Sequence, residues 1–442
     1  MHILPHVVTL WLVTVAFAVA QPAFDATQAG RAAVERLVKG DFAALTASFD
    51  EKMRAALPED KLRAAWAGVQ TQAGAFKQMR EAQVAIKGEY QVVLIPTEFE
   101  KATADIQIAF NAAGQIAGLN IRPSAPAGFT DAPYVSADVS ARDVTIDAGG
   151  WPLPGVLAVP PGPGPFPAVI LVHGSGPGDR DQTIGPNKPF RDLALGLASR
   201  GVAVLRYDKR TRAHGGKMAS SPQLTVKEEV IDDVIAAIAL LRTTEGIDPK
   251  RIFVAGHSLG GMLIPRIAGA AGADVRGVIV LAGAVRSLEQ SIADQTRHLA
   301  LADGKISPDE QPMVDEAAAL VARVQTLKAT DPPITFAGTT APASYWVDLR
   351  GYDPPAAAQK IKLPMLILQG ERDYQVTMED FAKWKAAVGM RADVALKSYS
   401  ALNHLFIAST GPSGPAEYMR PGHVSEEVVR DVAAWVTTLK LP

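Results

Sequence analysis

The chain of 442 residues carries 44 Lys and Arg against 46 Asp and Glu, a net charge of −2, and is 48% hydrophobic and 20% charged. That balance is globular, and it excludes extended disorder and a polybasic arm for nucleic acid. There is no cysteine, which removes thiol nucleophiles, thiolate metal sites, disulfides and a cysteine-linked lipid anchor. Chemistry is left to Ser, His, carboxylates or a cofactor, on a length that suits about two or three domains.

Residues 7–20 form an apolar run too short to span a bilayer comfortably, ending in Ala18-Val19-Ala20, the small-x-small pattern that signal peptidase accepts. We therefore expect a signal peptide over 1–20, cleavage before Gln21 and export to the periplasm or medium, although only His2 and His6 stand where a basic start is usual. No later apolar stretch is long enough for a membrane span, so none is expected after cleavage. Residues 21–123 read as a small α+β domain. Phe42, Leu45 and Phe49, then Leu62, Trp66 and Val69, recur at helical spacing, whereas 90–95 is β-rich and Ile106, Ile108 and Phe110 alternate before a turn at 111–114. The segment contains no His and shows no catalytic grouping. Pro and Gly make 124–134 a linker.

From 135 to the end the pattern changes. An antiparallel pair at 144–146 and 155–159 precedes continuous apolar runs at 168–172, 202–205, 252–255, 278–281, 365–368 and 394–396, separated by amphipathic stretches. Strands buried on both faces read this way, which implies a largely parallel sheet covered by helices, a doubly wound α/β fold. Thr225 and Glu228 form a capping-box pattern before one such helix, and Ser425 precedes the last. Residues 285–361 interrupt the alternation and are read as a helical lid insertion.

Arg251 to Ala255 leads into Gly256-His257-Ser258-Leu259-Gly260-Gly261 and then a helical pattern. This is G-x-S-x-G at a strand-to-helix junction, the setting of a nucleophile elbow, where a side chain at either glycine would crowd the turn. A serine hydroxyl needs a base, and the base needs a carboxylate to fix its tautomer. The histidines after the elbow are His298, in the insertion, His404, in a loop just after a strand, and His423, before the last helix; His404 is favoured. Asp373 ends a strand and is the preferred acid, with Glu371 its rival and Asp348 and Asp353 weaker alternatives. The oxyanion hole is assigned to the N–H of Leu259, at the helix N-terminus, and that of Ser175 in His173-Gly174-Ser175-Gly176-Pro177, with Gly176 as substitute. That glycine-bearing loop fails G-x-G-x-x-G at Asp179, and His173 has no ligand-spaced partner. No metal or cofactor is expected.

Together these residues resemble the α/β-hydrolase superfamily, and more narrowly bacterial serine carboxylesterases with an extra N-terminal domain. The likeness rests on His173 to Pro177 with Asp179-Arg180-Asp181, on Arg206-Tyr207-Asp208-Lys209-Arg210, on the elbow and on Gln369-Gly370-Glu371-Arg372-Asp373. It implies an α/β-hydrolase fold with a triad of Ser258, Asp373 and His404, in the chain order usual for that fold, acting on a small-molecule ester. The charged groups at 179–181 and 208–210 are read as an ion-pair network that steadies the oxyanion loop. Tyr345 and Trp346 in the insertion are candidates for an apolar substrate pocket, with anchoring of the lid as the alternative. A serine peptidase or amidase of the same fold is a second reading, and a binding protein with a vestigial hydrolase domain a third.

Overall fold

Alternating apolar residues need one buried face, and in the computed structural model the alternation at 90–110 builds an antiparallel sheet. The structure describes residues 24–439 apart from 88–89, 101, 124–128, 219–222 and 338, so the expected signal peptide lies outside the described residues. The chain divides into two units, Met1–Ala125 and Pro126–Pro442.

In the first unit the helices Ala26–Lys39, Phe42–Ala47, Glu51–Ala56 and Glu59–Ala73 precede strands β1 (Phe76–Met79), β2 (Gln83–Lys87), β3 (Tyr90–Phe99), β4 (Thr103–Phe110) and β5 (Ile116–Pro123). Asp25, Asp41 and Asp50 each accept a backbone N–H at a helix start, which satisfies one of the donors that a helix leaves open. β4 lies along one edge of β3, while β1 and β2 pair with β3 at successive registers along the other. Val93, Ile95, Ile106 and Ile108 bury against Leu37, Leu45, Phe49 and Trp66.

The second unit contains β6 (Ser140–Asp147), β7 (Pro152–Val159), β8 (Phe166–Val172), β9 (Ala203–Tyr207), β10 (Ile247–His257), β11 (Gly277–Leu281), β12 (Ile334–Phe336), β13 (Thr339–Ala341), β14 (Met365–Gly370) and β15 (Val394–Tyr399). Eight of these form one sheet in the order β15-β14-β11-β10-β8-β9-β7-β6. It is parallel from β15 to β9, and β7 and β6 complete it antiparallel. The apolar runs are strands because both faces are covered: along β10, Ile252 and Val254 enter one core, Phe253 and Ala255 the other. The larger of these, Ile252, Phe253 and Val254, each contribute roughly 1.5–3 kcal/mol of burial. Helices Asp232–Arg242, Leu259–Ala271 and Met378–Val388 feed the first core, Pro189–Ala198 and Glu426–Thr438 the second.

The capping residues at 225–228 open their helix differently from a plain α-helix. Glu228 accepts the Thr225 N–H at 2.9 Å, and the next turn, Lys227–Ile231, is π-helical before Asp232–Arg242 continues. The wider turn carries Glu229, which is buried. The insertion has helices Leu288–Ala300, Gln311–Thr326, Ala343–Leu349 and Pro354–Ala358, the hairpin β12–β13, and a small core of Leu320, Val324, Leu327, Ile334, Ala343 and Trp346. Among the described residues no helix is long and apolar enough to cross a membrane.

Candidate active site

The chain runs from β8 to β9 on one side of β8 and returns to place β10 on the other. The carboxyl ends of β8 and β10 thus flank a switch in strand order, where open α/β sheets leave a crevice. Ser258 stands at the end of β10 with φ 55° and ψ −116°, and the helix Leu259–Ala271 begins at the next residue. The turn is closed by Ser258 N–H donating to the Leu281 carbonyl at 3.0 Å. A Cβ on Gly256 would fall 2.2 Å from the Gly260 carbonyl oxygen, and one on Gly260 2.6 Å from the carbonyls of Val172 and His173. Both glycines of the motif are therefore required by the packing of backbone on backbone. Pro265 sits inside the helix, which continues through it.

His404 and Asp373, buried in the loops after β15 and β14, meet with Nδ1 and Oδ2 2.6 Å apart. An ionised carboxylate only accepts, so Nδ1 carries hydrogen and Nε2 keeps a lone pair for a proton. Asp373 is held in turn: Oδ1 accepts the N–H groups of Gln375 and Val376 at 2.8 and 3.0 Å, and Gln369 Nε2 donates to Oδ2 at 3.2 Å. Asn403 shapes the His404 loop, its Oδ1 accepting the N–H of Leu405 at 3.0 Å and of Ile407 at 3.2 Å. Among the described residues the Ser258 hydroxyl is in no hydrogen bond, consistent with a nucleophile whose bond to its base tightens on substrate binding.

The rivals have other partners. Glu371 is exposed and accepts from Ser398 at 2.7 Å. Asp348 pairs with Arg266 at 3.0 Å, and Asp353 caps a helix through the Ala356 N–H at 2.9 Å. His423 faces Asp192 at 3.1 Å; burial lifts that carboxyl to about 6. His298 is exposed, approaches the Ser413 carbonyl at 3.2 Å and stacks on Tyr374 at 5.1 Å, so the insertion touches the loop that carries Asp373. His173 donates through Nε2 to the Asp179 carbonyl at 2.9 Å, and burial, then the Lys209 charge, pushes it down to about 4. No grouping of three or more His, Asp or Glu suited to a metal ion occurs among the described residues.

The loop after β8 lies against the elbow, since a Cβ on Gly174 would come 3.1 Å from that of Ser258. Lys209 Nζ donates to the Gly174 carbonyl at 3.0 Å. That carbonyl shares a trans peptide with the Ser175 N–H and points the opposite way. Lys209 therefore aims the Ser175 N–H. The Leu259 N–H, in the first turn of its helix, has no carbonyl within that helix to bond. Gly176, with φ 81°, turns the loop. The flanking charges join the two strand ends: Arg180 forks onto Asp208 at 2.9 and 3.0 Å, and Lys188 reaches Asp181 at 3.1 Å, where Arg206 also pairs. Arg210 is buried against Asp233, a scaffold position rather than one open to an anionic substrate.

Residues 167–409 match the family described as "Serine aminopeptidase, S33", and residues 31–119 match one described as "Protein of unknown function (DUF3887)". Over 404 residues, covering 91% of this chain and 93% of the relative, the sequence is 35% identical to the esterase EstD of Thermotoga maritima. The chain belongs to the S33 family of α/β hydrolases. Among solved structures the chain is similar to Est1E from Butyrivibrio proteoclasticus, at 17% identity and a TM-score of 0.45 over 67% of this chain and 99% of that one. A puromycin-hydrolysing peptidase of Mycobacterium tuberculosis is similar at 16% identity and a TM-score of 0.44, over 82% of this chain and 47% of that one.

Tyr345 and Trp346 of the hydrolase are both buried, and their surroundings are those of the anchoring alternative. Tyr345 donates to Glu229 at 2.8 Å, and Glu229 also accepts from Thr211 at 2.9 Å and pairs with Lys209 at 3.3 Å. Burial, then Glu229, holds the Tyr345 phenol well above its ordinary value, so it stays a donor. Trp346 packs in the insertion's own core. From sequence the aromatic pair stands open between a pocket wall and a lid anchor; here one ring braces the carboxylate behind Lys209 and the other fills a core. Glu229, Gln182 and His257 also belong to the surroundings of the site, and sequence reasoning passed over them. Their partners lie 116, 75 and 147 residues away, beyond any local pattern.

Proposed function

We propose that this hydrolase is exported and cleaves carboxylic esters through an acyl-enzyme formed on Ser258, with His404 as base and Asp373 as its orienting acid. The observation that carries the reading is the 2.6 Å pair of Asp373 and His404 beyond the carboxyl ends of parallel strands β14 and β15, the same end of the sheet at which β10 presents a serine with positive φ. His404 Nε2 takes the Ser258 proton as Oγ attacks the ester carbonyl. The oxyanion is received by the Leu259 and Ser175 N–H groups, with Gly176 the alternative donor; each is worth about 3–4 kcal/mol to the transition state. The alcohol leaves with the proton held by His404, and water repeats the steps to free the acid. The kinship with an esterase over nearly the whole chain supports ester over amide substrates. The description of the matched family supports a peptidase or amidase as the second reading.

A fluorophosphonate should label the wild-type enzyme at Ser258 and leave Ser258→Ala unlabelled, because only an activated serine reacts readily. On unlabelled enzyme, with reactive sites counted by the fluorophosphonate in a separate sample, short p-nitrophenyl esters should turn over faster than aminoacyl p-nitroanilides. The reverse ranking establishes the peptidase reading, and an unreactive serine the binding-protein reading. Export rests on Ala18-Val19-Ala20; N-terminal sequencing of secreted protein should begin at Gln21, and retention of residues 1–20 refutes cleavage.

A further inference from the structure

Gln182 and His257 lie between the oxyanion loop and the His404 loop, and neither has a part in the reaction above. Gln182 is buried with φ 50°, an uncommon conformation for a residue with a side chain. Its Oε1 accepts the Gly174 N–H at 3.3 Å, and its Nε2 lies 2.7 Å from His257 Nδ1. His257 Nε2 lies 2.8 Å from the carbonyl oxygen of His404. Both ends of this series have a single polarity, because the Gly174 N–H only donates and the His404 carbonyl only accepts. Every link between them is thereby directed: Gln182 donates to His257 Nδ1, and His257 donates from Nε2 to His404. Turning the Gln182 amide over would set N–H against N–H at one end and oxygen against a lone pair at the other.

His257 is thus the neutral Nε2–H tautomer. Burial first, then the His404 charge, pushes it down to about 3. The titratable groups that bear on it are His404, with ring centroids 4.5 Å apart, and His173 from the end of β8. Asp373 stands behind His404 and Lys209 against Gly174, while Phe190 supplies an apolar wall. Gly174 is held on both sides, its N–H by Gln182 and its carbonyl by Lys209.

We propose that Gln182 and His257 are positioning residues that lock the oxyanion loop and the main chain of His404 into one hydrogen-bonded register across the elbow. The inference rests on the roles proposed for Ser258, His404 and Asp373. Asp373 holds the His404 ring, His257 holds the same residue by its backbone, and Gln182 ties both to the loop that presents the Ser175 N–H. Since His257 cannot take a proton without setting a second N–H against Gln182, the charge formed during turnover stays on His404.

The test measures kcat and KM against pH for Gln182→Met and Gln182→Glu, per fluorophosphonate-reactive site. Methionine can neither accept from Gly174 nor donate to His257. Displacements of about 1 Å at a catalytic group cost about a hundredfold, so kcat should fall by about ten- to a hundredfold with KM within about twofold. Glutamate accepts from Gly174 and, when ionised, presents a second acceptor to His257, so the series closes only when one more proton sits between them, on His257 Nδ1 or on the carboxyl. Gln182→Glu should therefore gain a descending alkaline limb in kcat that the wild type lacks. Fewer reactive sites with unchanged turnover per site and an unchanged pH profile would mean that Gln182 only stabilises the fold, and overturns the proposal. Wild-type enzyme unreactive to fluorophosphonate sinks the triad reading, and this inference with it. Should neither variant fold, imidazole 15N NMR of the wild type decides: His257 should remain Nε2–H from about pH 5 to 8, and an Nδ1–H or titrating His257 overturns the inference.

Discussion

In the first unit the buried polar residues, among those described, are Thr46 and Thr97, and each returns its hydroxyl to its own segment, to Phe42 at 3.0 Å and Ile95 at 3.1 Å. The second unit buries His173, Lys209, Glu229, His257, Asp373 and His404 around the carboxyl ends of its parallel strands. Burying an ionisable group is costly unless partners surround it. The first unit avoids that cost with an apolar core closed by short local bonds. The second meets it with partners drawn from distant segments. Groups held at fixed angles and away from water can act on a bound molecule, and a core of leucine, isoleucine and phenylalanine cannot.

The comparison is sharpened most by Ser258→Ala. Turnover should fall by about a million-fold with an unchanged urea midpoint, because the half-buried hydroxyl bonds no neighbour; retention of near-normal ester turnover would refute the assignment. Asp373→Asn should lower kcat about ten-thousandfold by disturbing the His404 tautomer, and a loss under tenfold would shift the acid's role elsewhere. In the first unit, Ile106→Ala removes a fully buried side chain and should destabilise that unit by about 2–5 kcal/mol, read by urea unfolding. Turnover per reactive serine should stay within about twofold; a matching fall in kcat would break the division between the units.

The smallest effect concerns His173, whose folded form protonates only near 4 against an ordinary 6.5. Between those values the unfolded chain takes up the proton alone. The contribution to stability is therefore complete above 6.5 and is lost as pH falls toward 4, by up to about 1.4 kcal/mol per pH unit. His173→Gln removes that dependence. The stability of the wild type relative to this variant should decline on acidification, and a constant difference in urea unfolding free energy would show that His173 titrates normally.

What could be read from sequence was what local chemistry dictates. The apolar runs at 252–255 and 278–281 are too short for buried helices and became strands covered on both faces, and Gly256 and Gly260 marked the elbow because only glycine fits there. Asp373 and His404 were legible as residues just past strand ends. The helix Ala26–Lys39 and the edge strands β1 and β2 were missed, their apolar spacing being weak beside that of β3 and β4. The π-helical turn at Lys227–Ile231 was hidden because its signature is a buried carboxylate paired with Lys209 and Tyr345, a tertiary fact. His257 stood inside the motif in plain view, yet its use depends on Gln182.

The φ of 55° at Ser258 also decides which alcohol can occupy the position. A threonine hydroxyl has comparable acidity, but its second γ-substituent collides with the main chain where φ is positive. The bend therefore selects a primary alcohol before any substrate arrives, and cysteine, equally unbranched, is the substitute that this conformation admits.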